Sequence, residues 1–323
     1  MKKIRSYGRQ IMALRTRGRV ILAGILLLLM AGCVTVKVSV FEEPGPLEEK
    51  AVSGKGRDKV LLMDVSGIIV EGPRGSSIWS MKSFTRPERI KEELEKAAKD
   101  SRIKALVLRI NSPGGTVSGS DVVLHEIQAF KQEKGIPVVA CLTGVATSGG
   151  YYVAQAADTI IAYPTCITGS IGVLAMKLNI KGLMDKIGVD PEMIKSGQWK
   201  DFWSPFKPAS PEEKQIMQDV TDSFYRNFVE VVAKGRNLNA AQARKIADGR
   251  IFTASQALDL GLVDRVGYLD DAIKLAQEKA GLADARVVRY NRPGSHRPTI
   301  YSMLPNLEMA GPQFLYLWWP GEI

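Results

Sequence analysis

Three short and almost unbroken apolar runs mark out this chain: Val60-Leu61-Leu62-Met63 within residues 59–65, Ala105-Leu106-Val107-Leu108 within 103–110, and Pro137-Val138-Val139-Ala140-Cys141-Leu142. Runs of this length that do not alternate polar with apolar fit strands covered on both faces, the habit of parallel sheets. A fourth run at 158–163 has the same character. Between them the spacing predicts helices over 87–99, with a proline in its first turn, and over 118–134, opened by Ser and Asp. Further on it predicts a helix near 182–187, a strand at 191–194, a long amphipathic helix over 211–235 and a shorter one over 239–248. Two more helices are expected within 251–264 and 268–280. Repeated strand, turn and helix imply βαβ crossovers and an α/β fold with a largely parallel sheet. Residues 72–84, rich in Gly, Ser and Arg, read as a loop, and 34–57, rich in Glu, Pro, Gly and Lys, as a linker.

Two glycine-bearing turns interrupt this pattern, Asn111-Ser112-Pro113-Gly114-Gly115 and Ala146-Thr147-Ser148-Gly149-Gly150-Tyr151-Tyr152. Each follows a strand and precedes a helix, so both fall at the sheet edge where open α/β folds bind ligands. Ser148 stands where strand becomes helix. There a hydroxyl is exposed at a corner, helix N–H groups are unpaired and the helix dipole favours a developing anion. An isolated Ser-Gly-Gly is read equally simply as a helix N-cap in a tight turn; what favours a nucleophile lies elsewhere in the chain.

Charge changes the picture once it is located. The formal +10 looks like a nucleic-acid signal, but residues 1–32 hold seven of the 44 basic residues and none of the 34 acidic ones. The remainder carries 37 against 34, a balance that gives no reason to expect nucleic acid. The basic segment ends at Arg19, an apolar run follows over 20–30, and Ala31-Gly32-Cys33 closes it. This is the layout of a secretory signal, and the run is short for an uncleaved span of about 20 residues. Ala-Gly-Cys also resembles a bacterial lipoprotein processing site with Cys33 as the lipidated residue, although Met30 stands where that pattern prefers Leu. The alternative is a retained anchor; either tethers the body outside the cytoplasm. Cys141 and Cys166 lie in apolar contexts and read as buried thiols, with a disulfide between them left open.

A Ser-His-Asp triad needs a histidine, and the chain has two. His125 falls within a helix and His296 in the polar tail, ordinary places for either. The base for Ser148 is therefore expected to be a lysine, whose amine must titrate well below about 10.4 to be neutral. Lys195 and Lys200, in a loop with Trp199, Phe202 and Trp203, are the candidates, and local sequence does not choose between them. Ser204-Pro205-Phe206-Lys207 imitates the Ser-x-x-Lys of penicillin-binding proteins, but Pro205 opposes the helical turn that motif needs.

Four stretches in order, residues 111–115, 146–152, Thr168-Gly169-Ser170-Ile171-Gly172 and Lys195-Ser196-Gly197-Gln198-Trp199-Lys200-Asp201, give the chain a resemblance over about 59–282 to the signal peptide peptidase A family, single-module form, of the ClpP/crotonase superfamily. The resemblance implies an α/β core of repeated ββα units with parallel sheet and C-terminal helices. It implies Ser148 as nucleophile, Lys200 as general base, Ser170 as the residue that orients the base, and the N–H groups of Gly114 and Gly149 as the oxyanion hole. It further implies remnant signal peptides as substrates, a homo-oligomeric ring in which Ser and Lys meet across subunits, and a cell-envelope location with the catalytic domain extracytoplasmic. No metal or other cofactor is required. The organisation expected is a lipoprotein-type signal peptide over 1–32, a linker over 33–57, a serine peptidase domain over 58–282 and a tail with an aromatic patch over 283–323. A stomatin-associated membrane protease also uses Ser and Lys on this scaffold. The crotonase half of the superfamily binds acyl-CoA instead, and the Lys-Asp loop and the secretion signal argue against that reading, because acyl-CoA is cytoplasmic.

Overall fold

The three apolar runs are the centre of one sheet. A computed structural model describes residues 45–71 and 84–291, and the backbone of 313–317. The strands are β1 (Glu48–Ser53), β2 (Lys59–Ile69), β3 (Phe84–Thr85), β4 (Ile103–Thr116), β5 (Val138–Thr147), β6 (Thr159–Ala162), β7 (Ile167–Gly169), β8 (Leu174–Met176), β9 (Ile251–Thr253), β10 (Arg265–Val266), β11 (Arg286–Asn291) and β12 (Gln313–Leu317). The helices are α1 (Pro87–Ala98), α2 (Val117–Lys134), α3 (Gly149–Ala154), α4 (Lys181–Ile187), α5 (Pro211–Gly235), α6 (Ala240–Ile246), α7 (Ala254–Asp259) and α8 (Leu269–Lys279). The strand order β1-β11-β2-β4-β5-β6-β10 is parallel throughout, save for β1, which runs antiparallel to β11.

Alternate residues of the central strands feed two separate cores, which is why the runs are apolar without interruption. Leu61, Met63, Leu106, Leu108, Val138 and Ala140 face α1, α2, α3 and α5. Val60, Leu62, Ala105, Val107, Val139 and Cys141 face α8, through Ala272, Leu275 and Ala276. Helix starts follow their caps. Ser210 and Glu213 form a capping box at α5, behind the proline of its first turn, and Thr116 accepts from the Gly119 N–H at α2.

Several expectations are corrected. Residues 191–194 form no strand: Ile194 is 102% exposed, and the segment pairs with no strand among the described residues. A short strand, β8, stands earlier at 174–176 instead. Residues 251–253 are strand and not helix, because Thr253 caps α7 and leaves the preceding residues to pair with β7. The strand expected at 103–110 continues through Pro113-Gly114-Gly115 to Thr116, so this stretch is extended rather than a turn. Strand β1 lies within the segment expected as linker, and β11 and β12 within that expected as tail. Cys33, the signal segment, residues 72–83 and His296 lie outside the described residues.

Strand β1 is fastened by a buried lysine. Lys59, 2% exposed, donates to Glu49 at 2.6 Å and to Asp100 at 2.8 Å, and Lys96 donates to the Leu47 carbonyl. Burial alone would raise the Asp100 carboxyl, but hydrogen bonds from Arg102 and Lys59 outweigh it and hold it below the usual carboxylate range. Lys59→Met removes the ammonium from both carboxylates, leaving Asp100 with Arg102 alone, and is expected to lower unfolding free energy by about 1–3 kcal/mol, since these groups are only part-buried, as read by urea denaturation. A depressed carboxylate contributes fully above its unfolded pKa of about 3.9 and loses that contribution as pH falls toward the folded value. The stability gap between wild type and Lys59→Met is therefore expected to narrow below about pH 4, measured by urea denaturation across an acid series.

Candidate active site

Parallel pairing of β5 with β7 sets the corner. Val145, Ala146 and Thr147 stand opposite Ile167, Thr168 and Gly169, so the next residues on each strand, Ser148 and Ser170, leave the sheet side by side. The pairing is closed by the Ser148 N–H donating to the Gly169 carbonyl at 2.8 Å and by Thr168 Oγ1 donating to the Ala146 carbonyl at 2.7 Å. Both serines are buried, and both have left-handed backbones, with φ of 51° at Ser148 and 50° at Ser170. Such a conformation in a residue with a Cβ costs roughly 1–3 kcal/mol and persists only where the surroundings hold it. They do: Tyr151 donates its buried hydroxyl to the Leu262 carbonyl at 2.7 Å, Tyr152 donates to Asp121 at 2.7 Å, and the Tyr152 N–H returns to the Ser148 carbonyl at 2.8 Å. Thr147 adds a bond to the Pro113 carbonyl at 3.3 Å, tying the corner to β4.

Ser148 occupies the N-cap position of α3 without capping it. At Thr116, Ser210, Asn239 and Thr253 the cap side chain accepts a helix N–H; the Ser148 hydroxyl makes no such bond. The ordinary reason for a serine at this position is therefore missing. Gly150 lets the helix start press on β4, since a Cβ there would lie 2.7 Å from the Ser112 carbonyl oxygen. Gly115 is more tightly fixed, a Cβ falling 1.8 Å from the Ile69 carbonyl oxygen. The Gly149 N–H opens α3 and has no carbonyl one turn behind it. Gly114, at φ 107°, directs its N–H to Ser112 Oγ at 3.1 Å, so an oxyanion would have to draw that N–H away from Ser112. The aromatic tail docks here as β12, antiparallel to β4 with Leu317 opposite Gly114 and Leu315 opposite Thr116, and antiparallel to β8 along its other edge.

The lysines separate clearly. Lys195 donates to Asp201 at 2.8 Å, Lys207 donates to Asp201 at 2.9 Å and to Glu213 at 2.9 Å, and hydrogen bonds from Lys195 and Lys207 hold the Asp201 carboxyl down to about 2. The Lys200 side chain is exposed and has no hydrogen bond or ion pair among the described residues. Lys195 is thus committed to a carboxylate, whereas Lys200 carries no anionic partner. No bond joins Lys200 to Ser148 within the chain, one group being exposed and the other buried. The stretch before Lys200 is unusually apolar at its surface, with Leu178, Leu183, Ile187 and Ile194 each more than half exposed. His125 is an exposed residue of α2. Cys141 and Cys166 are free, and burial pushes both thiols up to about 12, which makes them poor nucleophiles.

Sequence reasoning singled out Ser148 and Ser170 separately but missed that they emerge from paired strands; Gly-Ser after one strand and Ser-Gly after its neighbour was the available signal. It also missed Asp201 as the partner of two lysines. Among the described residues no group of His, Cys, Asp or Glu is placed to hold a metal ion, and no helix is long and apolar enough to cross a membrane.

Residues 130–283 match the model of Peptidase family S49. A provisionally named signal peptide peptidase SppA of Enterococcus faecium is 36% identical over 75% of this chain and 70% of its own length. A provisionally named protease of Synechocystis sp., slr0021, is 38% identical over 72% of this chain and 78% of its own. A ClpP1 variant of Listeria monocytogenes superposes on 66% of this chain and 94% of its own, with TM-score 0.43 and 16% identity. The chain belongs to peptidase family S49 and is a serine peptidase.

Proposed function

We propose that this chain is a membrane-tethered endopeptidase that works outside the cytoplasm on cleaved signal peptides, with Ser148 as nucleophile and Lys200 as general base. The observation that carries the reading is Ser148 itself, a buried serine in a left-handed conformation at a helix start that it does not cap. In the first step the neutral Lys200 amine takes the Ser148 proton as the hydroxyl oxygen bonds to the peptide carbonyl carbon. The negative charge on the carbonyl oxygen is met by the N–H groups of Gly149 and Gly114. Collapse breaks the C–N bond, the ammonium returns its proton to the leaving amine, and an ester on Ser148 remains. Water then adds with Lys200 again as base, and the acid product leaves with Ser148 restored. Ser170, beside Ser148 and bent the same way, is suited to accept a hydrogen bond from the base and fix its amine.

Because Lys200 is exposed and remote from hydrogen-bond reach of Ser148 in its own chain, the base is supplied by a neighbouring copy in a ring. The exposed apolar residues ahead of Lys200 support that contact, as a surface of this kind is ordinarily covered. A peptide substrate is supported by β12: the edge of β4 at Gly114, Gly115 and Thr116 accepts an extended segment as an added antiparallel strand. Signal peptides as substrates rest on the name of the Enterococcus faecium relative, and the tether on the basic and apolar residues up to Cys33.

Ser148→Ala and Lys200→Ala are each expected to lower kcat/KM on a signal-peptide substrate by a factor on the order of 10³ or more, with melting temperature and assembly unchanged. Lys195→Ala is expected to leave a clearly measurable rate. A fully active Lys200→Ala would remove the assigned base.

A further inference from the structure

Among the features that the proposed chemistry leaves unused, the carboxylate beside the base has the most observations attached to it. Asp201 directly follows Lys200 and is the middle of a chain of ion pairs, Lys195 to Asp201 at 2.8 Å, Asp201 to Lys207 at 2.9 Å and Lys207 to Glu213 at 2.9 Å. Its side chain is only 11% exposed although residues 191–200 before it stand in solvent. The far end of the chain is fixed: Glu213 is 2% exposed, accepts from the Ser210 N–H at 3.0 Å and belongs to the capping box of α5. Lys177 pins the same region from β8's side, donating to the Lys207 carbonyl at 2.9 Å with its ammonium 5.4 Å from the centre of the Trp203 ring.

The turn that these pairs hold is not relaxed. Trp203, two residues past Asp201, has a left-handed φ of 58°, a genuine outlier for a bulky side chain. Its indole N–H is buried without an acceptor among the described residues. Left to itself such a turn would open, and Lys200 would be carried with it. The ion pairs on Asp201 oppose that, joining the two ends of the turn to each other and to the start of α5, beside the Ile180 N–H that donates to the Pro205 carbonyl at 2.9 Å.

Resting on the reading of Lys200 as the base, we propose that Asp201 is a positioning residue for the peptidase reaction: by holding Lys195 and Lys207 together it fixes the turn from which Lys200 reaches a neighbouring copy's Ser148. A base held in place lowers the barrier by orientation alone, and displacement of about an ångström costs on the order of 10- to 100-fold in rate. The ion pairs of Asp201 lie within this loop and at the start of α5, none of them on β4, so the effect is expected in kcat rather than KM.

The test compares Asp201→Asn, Asp201→Glu, Lys195→Met and Lys200→Ala in the full-length assembled protein, reading kcat and KM on a signal-peptide substrate, melting temperature and particle size. Expected for Asp201→Asn is a fall in kcat on the order of 10- to 100-fold at unchanged KM, with melting temperature and assembly retained, and partial recovery in Asp201→Glu, which keeps the charge. If Asp201→Asn does not fold, Lys195→Met, which leaves Asp201 on Lys207, reads the same effect as a smaller loss of kcat. Unchanged kcat in Asp201→Asn, or in Lys195→Met where that is the readable variant, beside an inactive Lys200→Ala overturns the positioning role and leaves the base in place. A loss that follows melting temperature or particle size, and that Asp201→Glu does not recover, also overturns it. A fully active Lys200→Ala overturns the base assignment itself.

Discussion

The parallel pairing of β5 and β7 is the constraint on which the candidate site depends. It sets Thr147 opposite Gly169 and so delivers Ser148 and Ser170 at one corner, both with left-handed backbones that neither would keep alone. Three layers hold the corner in that state. The Ser148 N–H is bound to the neighbouring strand; α3 is packed by the closeness of Gly150 to Ser112; and the two tyrosines behind Ser148 are buried with their hydroxyls bonded to Leu262 and Asp121. The strained backbone at Ser148 is thereby tolerated because the surrounding sheet and helices hold it.

The lysine side of the site is built on a different principle. Among the described residues, none of the loop over 195–207 belongs to the buried cores; it is held by charge, with Asp201 between two ammonium groups and a buried glutamate at the end of the line, and by the Ile180 N–H donating to the Pro205 carbonyl. Those pairs sort the lysines. Lys195 and Lys207 are each paired with a carboxylate, and the Lys200 side chain has no such partner among the described residues. Ahead of Lys200 the surface is apolar, with Leu178, Leu183, Ile187 and Ile194 exposed, whereas Ser148 is buried, so the two side chains stand apart within the chain.

Much of the central fold could be read from pattern because it answers to one rule. The doubly buried strands are apolar without alternation, and the long helix over 211–235 announces itself through Ser210, Pro211 and Glu213. The readings failed where pairing depends on distant partners. Residues 251–253 look helical until β7 is beside them, residues 191–194 look like a strand but pair with none among the described residues, and Pro113-Gly114-Gly115 looks like a turn although β2 and β12 keep it extended. For the site, the serine and the lysine loop were legible as motifs. The left-handed backbone at Ser148, the adjoining Ser170 and the two-lysine grip of Asp201 were not, since each arises from contacts between residues far apart in sequence.

The central claim is that the Ser148 hydroxyl is the group that attacks, and the most direct measurement is mass spectrometry of the intact, assembled protein after reaction with a fluorophosphonate. The account predicts one stoichiometric adduct, located on the peptide that contains Ser148. An adduct on another serine with Ser148 unmodified, in protein that still cleaves peptides before treatment, would contradict it.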